Sequence, residues 1–271
     1  MSAEQEKCGT LASGRSLPVL PGPRLAEVTR MNDRRDRTST IPMPPREFQA
    51  LVCGPDFIHL FHDAAQWIIA VLEHERMCGD SVNLLEVGCG CGRVARYLVG
   101  EPIGSYTGFD RHAGMIAYCR AAIPDPRFTF DHFAVASSYA AADRPLADVP
   151  IEALAFPYPA GSFDHAVVAS DFTQMPPAEA AQYLAELARV VRSGGKVLLS
   201  VFFSQRHHVE TSDNRLTVFY EPDRFEADLL MSPFDARASG YTYTPGEPFR
   251  PDRREARQYG ARQNWYVLTR R

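Results

Sequence analysis

The chain has no apolar run near the roughly 20 residues needed to cross a bilayer. Its longest apolar candidate, Trp67 to Leu72, reads as part of a buried helix. The N-terminus carries Glu4, Glu6 and Lys7 and lacks the apolar core of a secretory leader. A cytoplasmic location and no membrane partner are therefore expected. Neither sign of charge dominates: 29 Lys and Arg face 33 Asp and Glu, giving a net charge of -4. That balance provides no general attraction to nucleic acid or anionic lipid. Cysteine is sparse and scattered, at positions 8, 53, 78, 89, 91 and 119. Cys89-Gly90-Cys91 is too tight for an ordinary disulfide and has no second Cys or His pair at zinc-site spacing. The thiols are expected to be reduced, and no metal site is expected. Internal repeats are also missing.

What remains is an ordinary globular balance of 45% apolar and 23% charged residues over 271 positions, enough for one large α/β domain. Residues 1–42 are rich in Ser, Thr, Pro, Gly and Arg and show no periodic apolar pattern. They read as a flexible tail or an arm laid over a domain spanning 43–271. Leu51 to Leu72 carries apolar residues at helical spacing, with Asp56 as a plausible N-cap and an end near Cys78-Gly79.

Strands and helices then alternate. Strands are predicted over 82–87, 106–109, 127–133, 163–170 and 196–203. Helices are predicted over 93–98, 112–122 and 177–191, the last ending at Ser193-Gly194-Gly195. A helix over 222–231 and two closing strands, 234–241 and 264–269, complete the pattern. Arg250 to Arg262 reads as a basic loop. Phe202, Phe203, Phe219 and Tyr220 read as core, His207-His208 as a solvated loop pair, and His59 and His62 as ordinary helix residues.

The chemistry concentrates in Leu84-Leu85-Glu86-Val87-Gly88-Cys89-Gly90-Cys91-Gly92-Arg93. A buried strand delivers a carboxylate and then alternating glycines, which take positive φ and let a ligand approach the backbone. The following helix is expected to point free N–H groups into the same crevice. Dinucleotide dehydrogenases normally use G-x-G-x-x-G; here the third glycine comes one residue early. A carboxylate next to the turn repels a pyrophosphate and attracts a cationic amine. Asp110, ending the next strand, can accept two hydrogen bonds from a ribose diol.

These stretches, with Phe-Pro-Tyr-Pro-Ala-Gly-Ser-Phe-Asp (156–164) and the Ala-Arg-Val-Val-Arg-Ser-Gly-Gly-Lys run (188–196), resemble class I S-adenosylmethionine-dependent methyltransferases. The resemblance implies a doubly wound, Rossmann-like, seven-stranded sheet whose seventh strand is antiparallel. It implies S-adenosyl-L-methionine as cofactor and methyl transfer to a small molecule, with a non-catalytic cofactor-binding protein as the alternative. By this likeness Glu86, Gly88, Cys89 and Gly90 surround the methionine end, while Gly92 and Arg93 open the next helix. Arg93 can pair with the cofactor carboxylate. Asp110 holds the ribose, and Arg111 and Met115 lie along the adenosine. Asp131, His132 or Phe133 stands where the family reads adenine, although another alignment puts Ala134 there. Ser170 and Asp171 follow the fourth strand, and Asp171 is the candidate for substrate orientation or proton removal. Many relatives carry His where this chain has Gln174, so no general base is borrowed from them.

Overall fold

The computed structural model describes residues 39–133, 154–212, 215–238, 241, 243 and 260–271. Most of the predicted tail, and Arg250 to Tyr259 of the predicted basic loop, lie outside them. Nine strands form one mixed sheet: β1 Gly79–Val87, β2 Ile103–Asp110, β3 Phe128–His132, β4 Phe163–Val168, β5 Val191–Phe203, β6 His208–Ser212, β7 Arg215–Tyr220, β8 Phe234–Ala238 and β9 Gly260–Arg270. The hydrogen-bonded path runs β3-β2-β1-β4-β5-β7-β6, and β9 also pairs with β5 and β8. Strands β1 to β5 are mutually parallel, and β9 lies antiparallel to β5 along Lys196–Val201. The predicted seven-strand pattern is thus present as β1 to β5, β8 and β9, with the last strand antiparallel. The β6–β7 hairpin is an addition. It was missed because His207-His208 reads as polar loop, whereas His208 opens β6 and stacks on Phe219 at 4.6 Å between ring centroids.

The helices are α1 Arg46–Cys53, α2 Phe61–His74, α3 Ala95–Leu98, α4 Ala113–Ala122, α5 Pro177–Val190 and α6 Pro222–Met231. Alternate residues of the central strands feed two cores on opposite faces of the sheet. Leu84 and Leu198 join the side chains of α2, α3 and α4, whereas Leu85, Val87, Val197 and Leu199 join those of α5 and α6. Helix α5 shows why: Ala180, Tyr183, Leu184, Leu187, Ala188 and Val190 fall on one face at helical spacing and are all buried. The strand order reverses direction between β1 and β4, and an open α/β sheet of this kind places its ligand crevice at the carboxyl ends of those two strands.

Three local expectations need correction. The predicted helix over 51–72 is broken at Gly54-Pro55 because proline cannot continue a helix and restricts the residue before it. Asp56 falls in a 3-10 turn, Pro55–Leu60, and no side chain caps α2, which ends at His74. The helix after the glycine turn is only Ala95–Leu98, so Gly92 and Arg93 lie in the turn before it. Two N–H groups of that turn are also occupied: Gly90 donates to Asp110 and Gly92 to the Cys89 carbonyl. Finally, β5 begins at Val191 directly after α5, and β9 reaches back to Gly260, inside the predicted loop.

The register of β4 against β5 shifts between Phe163 and His165, and Gly194-Gly195 absorbs that shift. Gly194 has φ +75°, and a Cβ on Gly195 would overlap the Asp164 carbonyl oxygen. Gly195→Ala should therefore destabilise the fold by about 1–3 kcal/mol, read as a lower urea midpoint. An unchanged midpoint contradicts this account of the bulge.

Candidate functional site

Glu86 is the penultimate residue of β1, in register with Gly108 of β2 and Val167 of β4. Because Gly108 has no side chain, space opens beside Glu86. Tyr106, two residues earlier and therefore on the same face of β2, fills that space and donates its hydroxyl to the Glu86 carboxylate. A Cβ on Gly108 would meet the Tyr106 hydroxyl at 2.7 Å and Cys89 Sγ at 2.9 Å, so the contact requires glycine. Glu86 is 4% exposed. Burial pushes its carboxyl up to about 7; the Tyr106 hydrogen bond and Arg93 pull it down, and Asp110 raises it further.

The chain then turns through Gly88, Gly90 and Gly92, at φ +67°, +54° and +73°. Only glycine occupies this region freely. The turn faces three side chains from other elements. A Cβ on Gly88 would overlap the Asp171 carboxylate, one on Gly90 would come within 2.8 Å of Val52 in α1, and one on Gly92 within 3.1 Å of Cys119. Cys89 is buried, and burial pushes its thiol well up, as do the neighbouring Asp110 and Glu86. The five described cysteines are all free thiols.

Asp110 ends β2. One carboxylate oxygen accepts the Gly90 N–H at 2.9 Å and the other accepts the His112 N–H at 2.7 Å. It is not the cap of α4; that role falls to His112, whose Nδ1 accepts from the Met115 N–H. A carboxylate has about four acceptor positions, so two remain for a ligand. Burial raises the Asp110 carboxyl, and its two backbone hydrogen bonds oppose the rise.

From β4 come Ser170 and Asp171. Ser170 adopts φ +76°, donates its N–H to Ser200 Oγ at 3.0 Å, and accepts from Gln263 Nε2 at 2.7 Å. Asp171 opens a 3-10 turn against Gly88. Burial raises its carboxyl well above the usual range, Asp110 and Glu86 raise it further, and Arg93 opposes them. Arg93 is half-buried, and its guanidinium reaches Cys53 Sγ at 3.7 Å.

The structure thus brings Glu86, the three glycines, Arg93, Asp110, Asp171 and Ser170 to one crevice. Met115 packs with Cys91 and Phe61 under Phe48 and Val52 of α1. The Arg111 carbonyl lies 3.0 Å from His132 Nε2, next to Asp110. Asp131 is already engaged, accepting the Tyr158 hydroxyl at 3.0 Å with Arg120 at 4.0 Å. Sequence reasoning missed Tyr106, Gly108, Tyr158, Gln263 and α1. The Tyr-x-Gly spacing opposite Glu86 was a readable signal; the others come from distant segments. His59 is exposed, and His62 Nδ1 contacts the Tyr97 hydroxyl at 2.7 Å. No metal-binding group occurs among the described residues, and none of their helices is long and apolar enough to cross a membrane.

Residues 85–199 match the family described as a methyltransferase domain. That segment is thus similar to methyltransferase domains. The fold is also that of solved structures of low identity. One is the Burkholderia thailandensis 1,6-didemethyltoxoflavin N1-methyltransferase, with TM-score 0.53 at 17% identity, covering 84% of this chain and 92% of that one. Another is an S-adenosylmethionine-dependent methyltransferase of Leishmania major, with TM-score 0.57 at 13% identity, covering 90% of this chain and 83% of that one. A third, from Mesorhizobium loti, has TM-score 0.51 at 15% identity, covering 77% of this chain and 99% of that one.

The titration of Glu86 gives a test of this buried site in solution. A carboxyl raised on folding from 4.5 to about 7 stabilises the fold fully below pH 4.5, and that contribution is lost as pH rises through 7. The loss amounts to a few kcal/mol. Glu86→Gln should remove this part of the pH dependence, so the urea-derived stability difference between wild type and variant should change across pH 4.5–7.5. A constant difference contradicts the burial argument.

Proposed function

We propose that the chain transfers a methyl group from S-adenosyl-L-methionine to a small-molecule acceptor by in-line displacement. The observation that carries this reading is charge. Glu86, Asp110 and Asp171 crowd around bare glycine backbone; Asp110 raises the carboxyl of Glu86, and both raise that of Asp171. Arg93 opposes them at Glu86 and Asp171, and His112 and Arg111 oppose the rise at Asp110, so acids still outnumber the arginines beside them. A ligand bearing an ammonium group and a sulfonium supplies the missing positive charge, whereas a pyrophosphate would worsen the imbalance.

Bound S-adenosylmethionine supplies a methyl group on a positively charged sulfur that departs as a neutral thioether. The protein's part is to hold and exclude. Glu86, Gly88, Cys89, Gly90, Gly92 and Asp171 surround the amino-acid end, and Arg93 pairs with its carboxylate. Asp110 is fixed by two backbone donors and offers its remaining acceptor positions to the ribose diol. Arg111 and Met115 flank the adenosine, with Asp131 and His132 at its far edge. Asp131 reads the adenine amino group only if it shares its carboxylate with Tyr158. Helix α1 places Val52 over Gly90, which shields the crevice from water. Alignment of an acceptor nucleophile then suffices, and a base is needed only for an acceptor protonated at working pH.

A small acceptor fits the net charge of -4, which gives nucleic acid no general attraction. It is also what the Burkholderia protein binds, as 1,6-didemethyltoxoflavin alongside S-adenosylhomocysteine. Cytoplasmic residence fits the same reading.

Calorimetric titration with S-adenosylhomocysteine should show 1:1 binding, weakened roughly 10- to 100-fold by Asp110→Ala. Label from methyl-tritiated cofactor should then pass to members of a small heteroaromatic acceptor panel. Absence of binding overturns the reading. Binding without transfer to any small, peptide or RNA acceptor favours the non-catalytic alternative.

A further inference from the structure

We propose that the carboxylate receiving the cofactor's ammonium group is Asp171, and that Glu86 acts behind it as a positioning residue. This rests on the cofactor reading above and assigns one of its contacts. Two observations separate the acids. Glu86 already has a partner: the Tyr106 hydroxyl points at its carboxylate from within the strand layer, and the side chain is almost wholly buried. Asp171, in contrast, accepts no hydrogen bond from any other described residue. Its carboxylate occupies the volume that a Cβ on Gly88 would fill, directly against the glycine turn.

The surrounding backbone explains how Asp171 reaches that position. Ser170 is held in the left-handed region by its N–H bond to Ser200 Oγ and by Gln263 on its hydroxyl. That geometry swings the next side chain back across the end of β4 toward β1. The groups facing Asp171 are Asp110 from β2, Glu86 from β1, Arg93 from the glycine turn and Tyr183 from α5. Two of these are acids that disfavour its ionisation, and Arg93 is occupied in the cofactor-bound form by the ligand's own carboxylate. An ammonium group arriving above Gly88 therefore meets Asp171 first and stabilises its charged form. Glu86 keeps Tyr106 and Cys89 in place beneath the turn.

The test compares two ligands that differ in the group concerned. S-adenosylhomocysteine carries the ammonium; methylthioadenosine carries the same nucleoside without the amino-acid end. Asp171→Asn should weaken S-adenosylhomocysteine roughly 10- to 100-fold and leave methylthioadenosine within about twofold, as expected for one lost charged hydrogen bond. Glu86→Gln should weaken both ligands by similar factors. Equal loss of both ligands in Asp171→Asn, or no loss of either, overturns the assignment of Asp171. Failure of the wild-type protein to bind either ligand instead removes the cofactor reading beneath it. Unchanged thermal unfolding of Asp171→Asn alone would confirm that the variant is folded, and Asp171→Glu should restore part of the affinity for S-adenosylhomocysteine.

Discussion

Three carboxylates share one crevice with two arginines, Arg93 and Arg111, and the rest of the site is arranged around that excess of acid. Separated in water, Glu86, Asp110 and Asp171 would ionise easily. At the carboxyl ends of β1, β2 and β4 all three are desolvated, and Asp110 and Glu86 add repulsion at Asp171, as Asp110 does at Glu86, so their protons are held more tightly. Such a cluster is costly to the ligand-free fold. It persists because neighbouring groups restrain each member: Tyr106 restrains Glu86, the backbone N–H groups of Gly90 and His112 restrain Asp110, and the twisted Ser170 backbone restrains Asp171.

The glycines follow from the same constraint. Gly88 is bare because Asp171 needs the space, and Gly108 is bare because Tyr106 must reach Glu86. The positive φ angles of the turn let the backbone bend away from β1 and return its N–H groups to Asp110 and Cys89. The proposed ligand-facing surface is therefore made of backbone and carboxylate and not of a long helix N-terminus, since α3 spans only four residues.

Much of this was legible in the sequence because it is local. The strand-acid-glycine run from Leu84 to Arg93 fixes Glu86 and the turn together, and Asp110 follows at the end of the next strand. The alternation of strands and helices pointed to a doubly wound sheet, and Asn264 to Leu268 marked the antiparallel strand. What failed to show depends on distant pairing or on single breaker residues. Gly54-Pro55 splits a helix whose apolar spacing continues through the break. His208 and Phe219 stabilise a hairpin by stacking, which no periodic pattern announces. Asp171 was visible as an acid after β4, but its contact with Gly88 depends on how Ser170 is held by Ser200 and Gln263.

Proton exchange on binding tests the central claim most directly. Entry of a cationic amine favours the ionised forms of these acids, so their protons must leave. Titration of S-adenosylhomocysteine near pH 7, in buffers of different ionisation heat, should reveal net proton release. The release should diminish as pH is raised well above the value of about 7 for Glu86. Binding with the same heat in every buffer would mean that no acid changes its charge state, and would contradict the account.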